Sequence, residues 1–134
     1  MSYVWGCIIL VISTQALMAQ CTVDKHELPI DRSKARELQR AVKQGHQPWR
    51  LDSRPVAGSV LNQLRKNTED VYRVSFVVLS KTTKRTVLLS YNGHDHISYF
   101  VTLKKFQWLL PVATDWQSMI WVPTEVAVRH CPAR

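Results

Sequence analysis

Residues 71–103, VYRVSFVVLSKTTKRTVLLSYNGHDHISYFVTL, decide the fold. The run Val71–Leu79 alternates, with Val71, Arg73, Ser75 and Val77 facing one way and Tyr72, Val74, Phe76 and Val78 the other. That period of two, carried by β-branched and aromatic residues, predicts a strand. Lys81-Thr82-Thr83-Lys84 predicts a polar turn, Arg85–Tyr91 a second strand and Ile97–Leu103 a third. Asn92-Gly93 between the last two is the strongest short hairpin signal a chain can carry. Downstream, Met119–Val128 predicts a final strand, with Pro123 requiring an edge position or a bulge. Phe106–Trp116 predicts a further strand with an irregular loop.

Upstream the period changes. From Arg32, apolar residues recur at Ala35, Leu38 and Val42, which is helical spacing, and Gly45 stands where a C-terminal cap would. Asp31 or Ser33 supplies the N-cap. The opposite face carries Arg36, Arg40 and Lys43, read either as a solvated face or as an anion-binding ridge. Asp52 or Ser53, followed by Pro55, opens a second short helix through Val56, Val60, Leu61 and Leu64, weakened by Gly58. Thr22–Ile30 reads as a polar lead-in. Helices followed by a meander predict an α+β domain, with one or two N-terminal helices packed on an antiparallel β-meander.

Residues 1–19 hold no Lys, Arg, Asp or Glu, so the whole formal charge of +8 lies beyond them. Their apolar centre, Val4–Ile12, is shorter than the roughly 18 apolar residues of a membrane span, and Ser13, Thr14 and Gln15 interrupt it. The reading is a signal segment over 1–19, cut after Ala19, and a single domain over 20–134. Leu17 is bulky for the position two residues before Ala19, and the start lacks a basic residue, so an uncleaved anchor or a buried core segment stay open. Cleavage before Cys21 with lipidation is a further reading, disfavoured by Gln20. Cys7 leaves with the leader; Cys21 and Cys131 remain, the even pair expected in an oxidising compartment. A bridge between them would close almost the whole domain, worth about 4–5 kcal/mol by chain entropy; two unpaired thiols are the alternative. Export to the periplasm or outside the cell is the expectation.

The tract Gln44-Gly45-His46-Gln47-Pro48-Trp49-Arg50-Leu51-Asp52, followed by a meander and Ile120-Trp121-Val122, resembles a pattern of small exported bacterial proteins. The chain departs from it at Pro55, which comes late after Asp52, and at Asp115–Met119, where a glycine-rich turn is usual. The resemblance implies export and helices before strands. It implies no reaction. Cystatin-like and NTF2-like curved sheets share the same element order.

Candidate chemistry is sparse. His94 and His96, two apart beside Asp95, would share a strand face and are suitable zinc or copper ligands, with His26, His46 or His130 to complete a site. At a hairpin tip such residues more often face water, and no cofactor is required. There is no nucleophile elbow, no phosphate loop and no dinucleotide fingerprint, and the four glycines are scattered. Trp49, Trp108, Trp116 and Trp121 are many for this length, and Trp108 and Trp116 beside Lys104 and Lys105 suggest a basic, aromatic rim. Three functions follow. The first is an exported, non-enzymatic binding or accessory protein that meets a protein partner through its sheet or the Trp108–Trp116 segment. The second binds an anionic polymer or membrane through Arg36, Arg40, Lys43, Arg65, Lys66, Lys84, Arg85, Lys104 and Lys105, nucleic acid being disfavoured by export. The third is a small pocket or metal-dependent enzyme of NTF2-like shape using His94 and His96.

Overall fold

The computed structural model describes residues 20–64, 77–83, 85–93 and 96–132. The expected leader, His94, Arg65, Lys66 and Lys84 lie outside them, as do residues 71–76 of the strand expected at 71–79. The elements are β1 (Thr22–Glu27), α1 (Arg32–Lys43), a 3-10 turn (Pro48–Leu51), α2 (Ser53–Leu64), β2 (Val77–Thr83), β3 (Thr86–Asn92) and β4 (Ile97–Lys104). A second 3-10 turn (Gln107–Leu109) and β5 (Val122–His130) complete the series. The fold is α+β. The strands form one antiparallel sheet in the order β1-β5-β4-β3-β2, so the expected meander runs from β2 to β5 and β1 adds at its far edge.

β1 corrects the expectation of a lead-in. All six of its residues are exposed, so it carries no apolar pattern to betray it. It is a strand because it pairs in unbroken register with β5, from Thr22 opposite His130 to Glu27 opposite Glu125. One residue beyond that ladder, Cys21 and Cys131 form a disulfide with Cα atoms 4.2 Å apart. β5 is therefore interior, and Pro123 sits at a bulge, where the register with β4 skips Thr124. The turn expected at Lys81–Lys84 is shorter, since Thr83 pairs with Thr86. Thr82 and Thr83, being β-branched, extend the strand instead of ending it. Asn92-Gly93 does not form the centre of a two-residue turn either. Asn92 pairs with Ser98, Gly93 donates its N–H to the Ile97 carbonyl at 2.8 Å, and His96 takes the left-handed conformation, φ 57°.

On the inner sheet face, paired residues line up across strands: Leu89, Val101 and Val126 in one row, Tyr91, Tyr99 and Val128 in the next. α2 covers this face with Val56, Ala57, Val60 and Leu61, making the first core cluster with Val87, Leu89, Val101, Leu103 and Val126. α1 packs elsewhere. Its apolar stripe meets Leu109, Ala113, Met119 and Ile120 of the connection between β4 and β5, forming a second cluster. The segment expected to be a strand there is a 3-10 turn followed by irregular chain containing a cis Leu110–Pro111 bond.

α1 is closed at both ends as its sequence requires. Asp31 accepts from the Lys34 N–H at 3.0 Å. At the other end Gly45 (φ 85°) and His46 donate their N–H groups to the carbonyls of Val42 and Ala41, a Schellman cap. Its middle holds the least expected contact. Gln39, 1% exposed, donates through Nε2 to the Ser118 carbonyl and accepts through Oε1 from the Ile120 N–H, both at 2.8 Å. One carboxamide thus matches two backbone groups of a buried, irregular segment that has no ladder to satisfy them. Gln39→Met keeps the volume and strands both groups, each costing about 1–3 kcal/mol. The expected loss is about 3 kcal/mol in urea unfolding, with an unchanged denaturant slope.

Candidate functional site

An open groove of about 400 Å³ lies between α1 and α2. One lip is the link from β1 to α1, Leu28-Pro29-Ile30, placed by the Leu28 N–H donating to the Thr124 carbonyl at 3.0 Å. The other lip is the end of α2, Gln63 and Leu64. Trp49 and Trp121 lie between, with Val60 and Pro123. Apolar side chains are left at the opening, where Ile30 is 39% and Leu64 47% exposed. Large aliphatic groups exposed on both lips of one groove are unlike the scattered apolar residues of any protein surface.

Trp121 is the rigid part. Its backbone N–H donates to the Arg50 carbonyl and its indole N–H to the Leu51 carbonyl, both at 3.1 Å, which ties β5 to the first 3-10 turn. Arg50 stacks on the Trp49 ring at 4.4 Å and donates from Nε to the Gln47 Oε1 at 2.6 Å. Burial pulls its guanidinium below the ordinary arginine value, yet an arginine keeps its charge. The groove therefore contains a held, partly desolvated cation. Lys34 adds a second, and Asp31, the acid there, already caps α1. The site can take an apolar group together with a carboxylate or another small anion.

The residues singled out from sequence fall in other places. Trp108 and Trp116 are both half-buried against the second core cluster. Phe106 stacks on Trp108 at 5.1 Å, and Arg32 and Arg36 lie over the same ring at 5.5 and 5.9 Å. Arg85 lies 3.5 Å from the Trp116 ring centre. Lys104 is exposed at the end of β4. Lys105 turns inward, donating to the carbonyls of Trp116 (2.8 Å) and Gln117 (3.3 Å) and lying over Trp121 at 4.8 Å. Burial lowers its pKa, while Asp115 acts to raise it. Arg36, Arg40 and Lys43 line the exposed side of α1. His96 is exposed, its carbonyl accepting from the Cys131 N–H, and His26, His46 and His130 are exposed at separate places. Among the described residues no three His, Cys, Asp or Glu side chains gather as a metal site. Trp49, Trp108, Trp116 and Trp121 thus each bear a cation on the ring.

Sequence reading missed Ile30, Arg50 and Leu64, which lie in the link before α1, in the first 3-10 turn and at the end of α2, where periodicity carries least weight. The signal available was their position: an isoleucine after Pro29, and an arginine next to Trp49.

No protein-family model matches the chain, nor does any curated protein or solved structure. Among the described residues no helix is long and apolar enough to cross a membrane, and the disulfide is compatible with an exported protein.

The segment after Pro111 carries its own pH dependence. Asp115 Oδ1 accepts from the Ser118 N–H at 2.7 Å, and this bond, foremost, holds the carboxyl below the usual aspartate range. A carboxyl lowered in the folded state stabilises above its unfolded pKa, and that contribution is lost as pH falls through the lowered folded value. Asp115→Asn should therefore lose less stability than the parent between neutral and strongly acidic pH, measured as the difference in melting temperature.

Proposed function

We propose that this domain is an exported, non-enzymatic binding protein whose groove between α1 and α2 takes an apolar, acid-flanked segment of a partner protein. The observation that carries the reading is the groove itself, with exposed Ile30 and Leu64 on its lips, the tied indole of Trp121 and the half-buried Arg50 guanidinium in its wall. Rigid aromatic surface beside an arginine is the composition of binding hot spots, because large contact area comes with little entropy left to lose. The partner's acid is argued from charge, since the chain is +8 overall and Arg50 and Lys34 outnumber Asp31 at the groove. Export is supported by the Cys21–Cys131 bridge and by the charge-free leader. The leading surface thereby moves from the Trp108–Trp116 segment, whose rings pack against the second core cluster, to the groove, whose lips carry the exposed Ile30 and Leu64.

The test is selection from a random peptide library displayed on phage, using the oxidised protein as bait. Enriched peptides should pair large apolar residues with Asp or Glu and should change tryptophan fluorescence on binding. Ile30→Asp/Leu64→Asp, at exposed positions that leave the core intact, should weaken them about tenfold or more. Peptides without acids, or affinity unchanged in the double variant, would contradict the reading.

A further inference from the structure

The two flanks of α1 are chemically unlike. At 100° per residue, Arg32, Arg36, Arg40 and Lys43 fall within an arc of about 80° and extend along about 16 Å of the helix. All four are exposed. The buried stripe of Ala35 and Gln39 borders this arc on one side, and Glu37, the helix's one acid, lies beyond it on the other. The groove lies along the far flank, where Lys34 and Leu38 line it. Among the described residues no carboxylate comes within ion-pair distance of the four cations. They form a file of uncompensated charge, separate from the groove.

We infer that this file is a docking face for the phosphate headgroup layer of an anionic lipid bilayer. The guanidinium carbons of Arg32 and Arg36 lie 5.5 and 5.9 Å from the Trp108 ring centre, close enough for the ring to help hold both groups at the surface, where a guanidinium offers several N–H donors to phosphate oxygens. The apolar residues of α1 are turned into the second core cluster, so the contact is made by charge without insertion. Trp108 supplies no stacking platform, because Phe106 and the two arginines already occupy its π surface. Recognition of unpaired bases or sugar rings depends on free aromatic faces, and this face has none to offer. What remains is attraction to closely spaced phosphates, and four cations in one straight file about 16 Å long suit the flat layer of headgroups at a bilayer surface.

The test is co-sedimentation of the intact, disulfide-bonded protein with vesicles of phosphatidylcholine alone and of phosphatidylcholine mixed with phosphatidylglycerol. Binding should require phosphatidylglycerol and fall steeply with added salt. Near an anionic membrane each basic residue is worth about fivefold in partitioning. Arg40→Gln/Lys43→Gln, which removes two cations that touch no aromatic ring, should weaken binding about 25-fold, with an unchanged circular dichroism spectrum. Ile30→Ser/Leu64→Ser, which alters the groove without changing charge, should bind vesicles undiminished, which separates this face from the groove. Equal binding to the two vesicle types, or binding unaffected by Arg40→Gln/Lys43→Gln, would overturn the inference. Retention on duplex DNA or heparin without vesicle binding would overturn it equally, assigning the face to a soluble polyanion.

Discussion

The structure depends on how β1 is held. A strand whose six residues are all exposed contributes almost nothing to hydrophobic burial, so its place is set by the ladder to β5 and by the Cys21–Cys131 bridge just beyond it. The bridge spans 110 residues of sequence, and closing so long a loop in the unfolded chain is worth about 4–5 kcal/mol. The consequences run along the chain. β1 leads directly into Leu28, whose N–H continues the ladder to Thr124, then into the groove lip at Ile30 and the cap of α1 at Asp31. A restraint at the end of the sheet thus positions one wall of the groove and the start of the helix that forms the next.

α1 is a bracket in this arrangement. Its buried stripe does not cover the sheet, a task left to α2, but secures the long connection from β4 to β5. That connection has little regular structure to pair its backbone, and side chains do the pairing: Gln39 at Ser118 and Ile120, Asp115 and Ser118 with one another, Lys105 at Trp116 and Gln117. Holding the connection still also holds Trp121, and with it the groove wall. The same helix then offers cations on its outer flank, so the two proposed surfaces share one scaffold and differ in chemistry.

The parts of the fold that were legible in sequence are those with local causes. α1 was readable from its apolar spacing, Asp31 and Gly45; β3 and β4 from their alternating runs; the bulge in β5 from Pro123; and the pairing of Cys21 with Cys131 from their being the even pair. The parts that were not legible have distant causes. β1 has no apolar period because its partner lies a hundred residues away in sequence, and strand pairing leaves no local mark. Gln39 reads as a surface residue of a helix until the connection it satisfies is in place. The tryptophans were noticed, but sequence spacing does not show which rings become covered by arginine or lysine. The groove was missed because its lips come from two segments far apart in sequence, Leu28–Ile30 and Gln63–Leu64.

The central claim is that the bridge, by holding β1, holds the groove. Backbone hydrogen exchange of the Cys21→Ser/Cys131→Ser protein against the bridged parent tests it most directly. The account predicts that amides of residues 22–28 lose protection first and most, with those of residues 30–34 following, while β3 and β4 keep theirs. Protection across residues 22–34 equal to the parent's would contradict it, showing that the ladder alone holds the strand and that the groove stands without its staple.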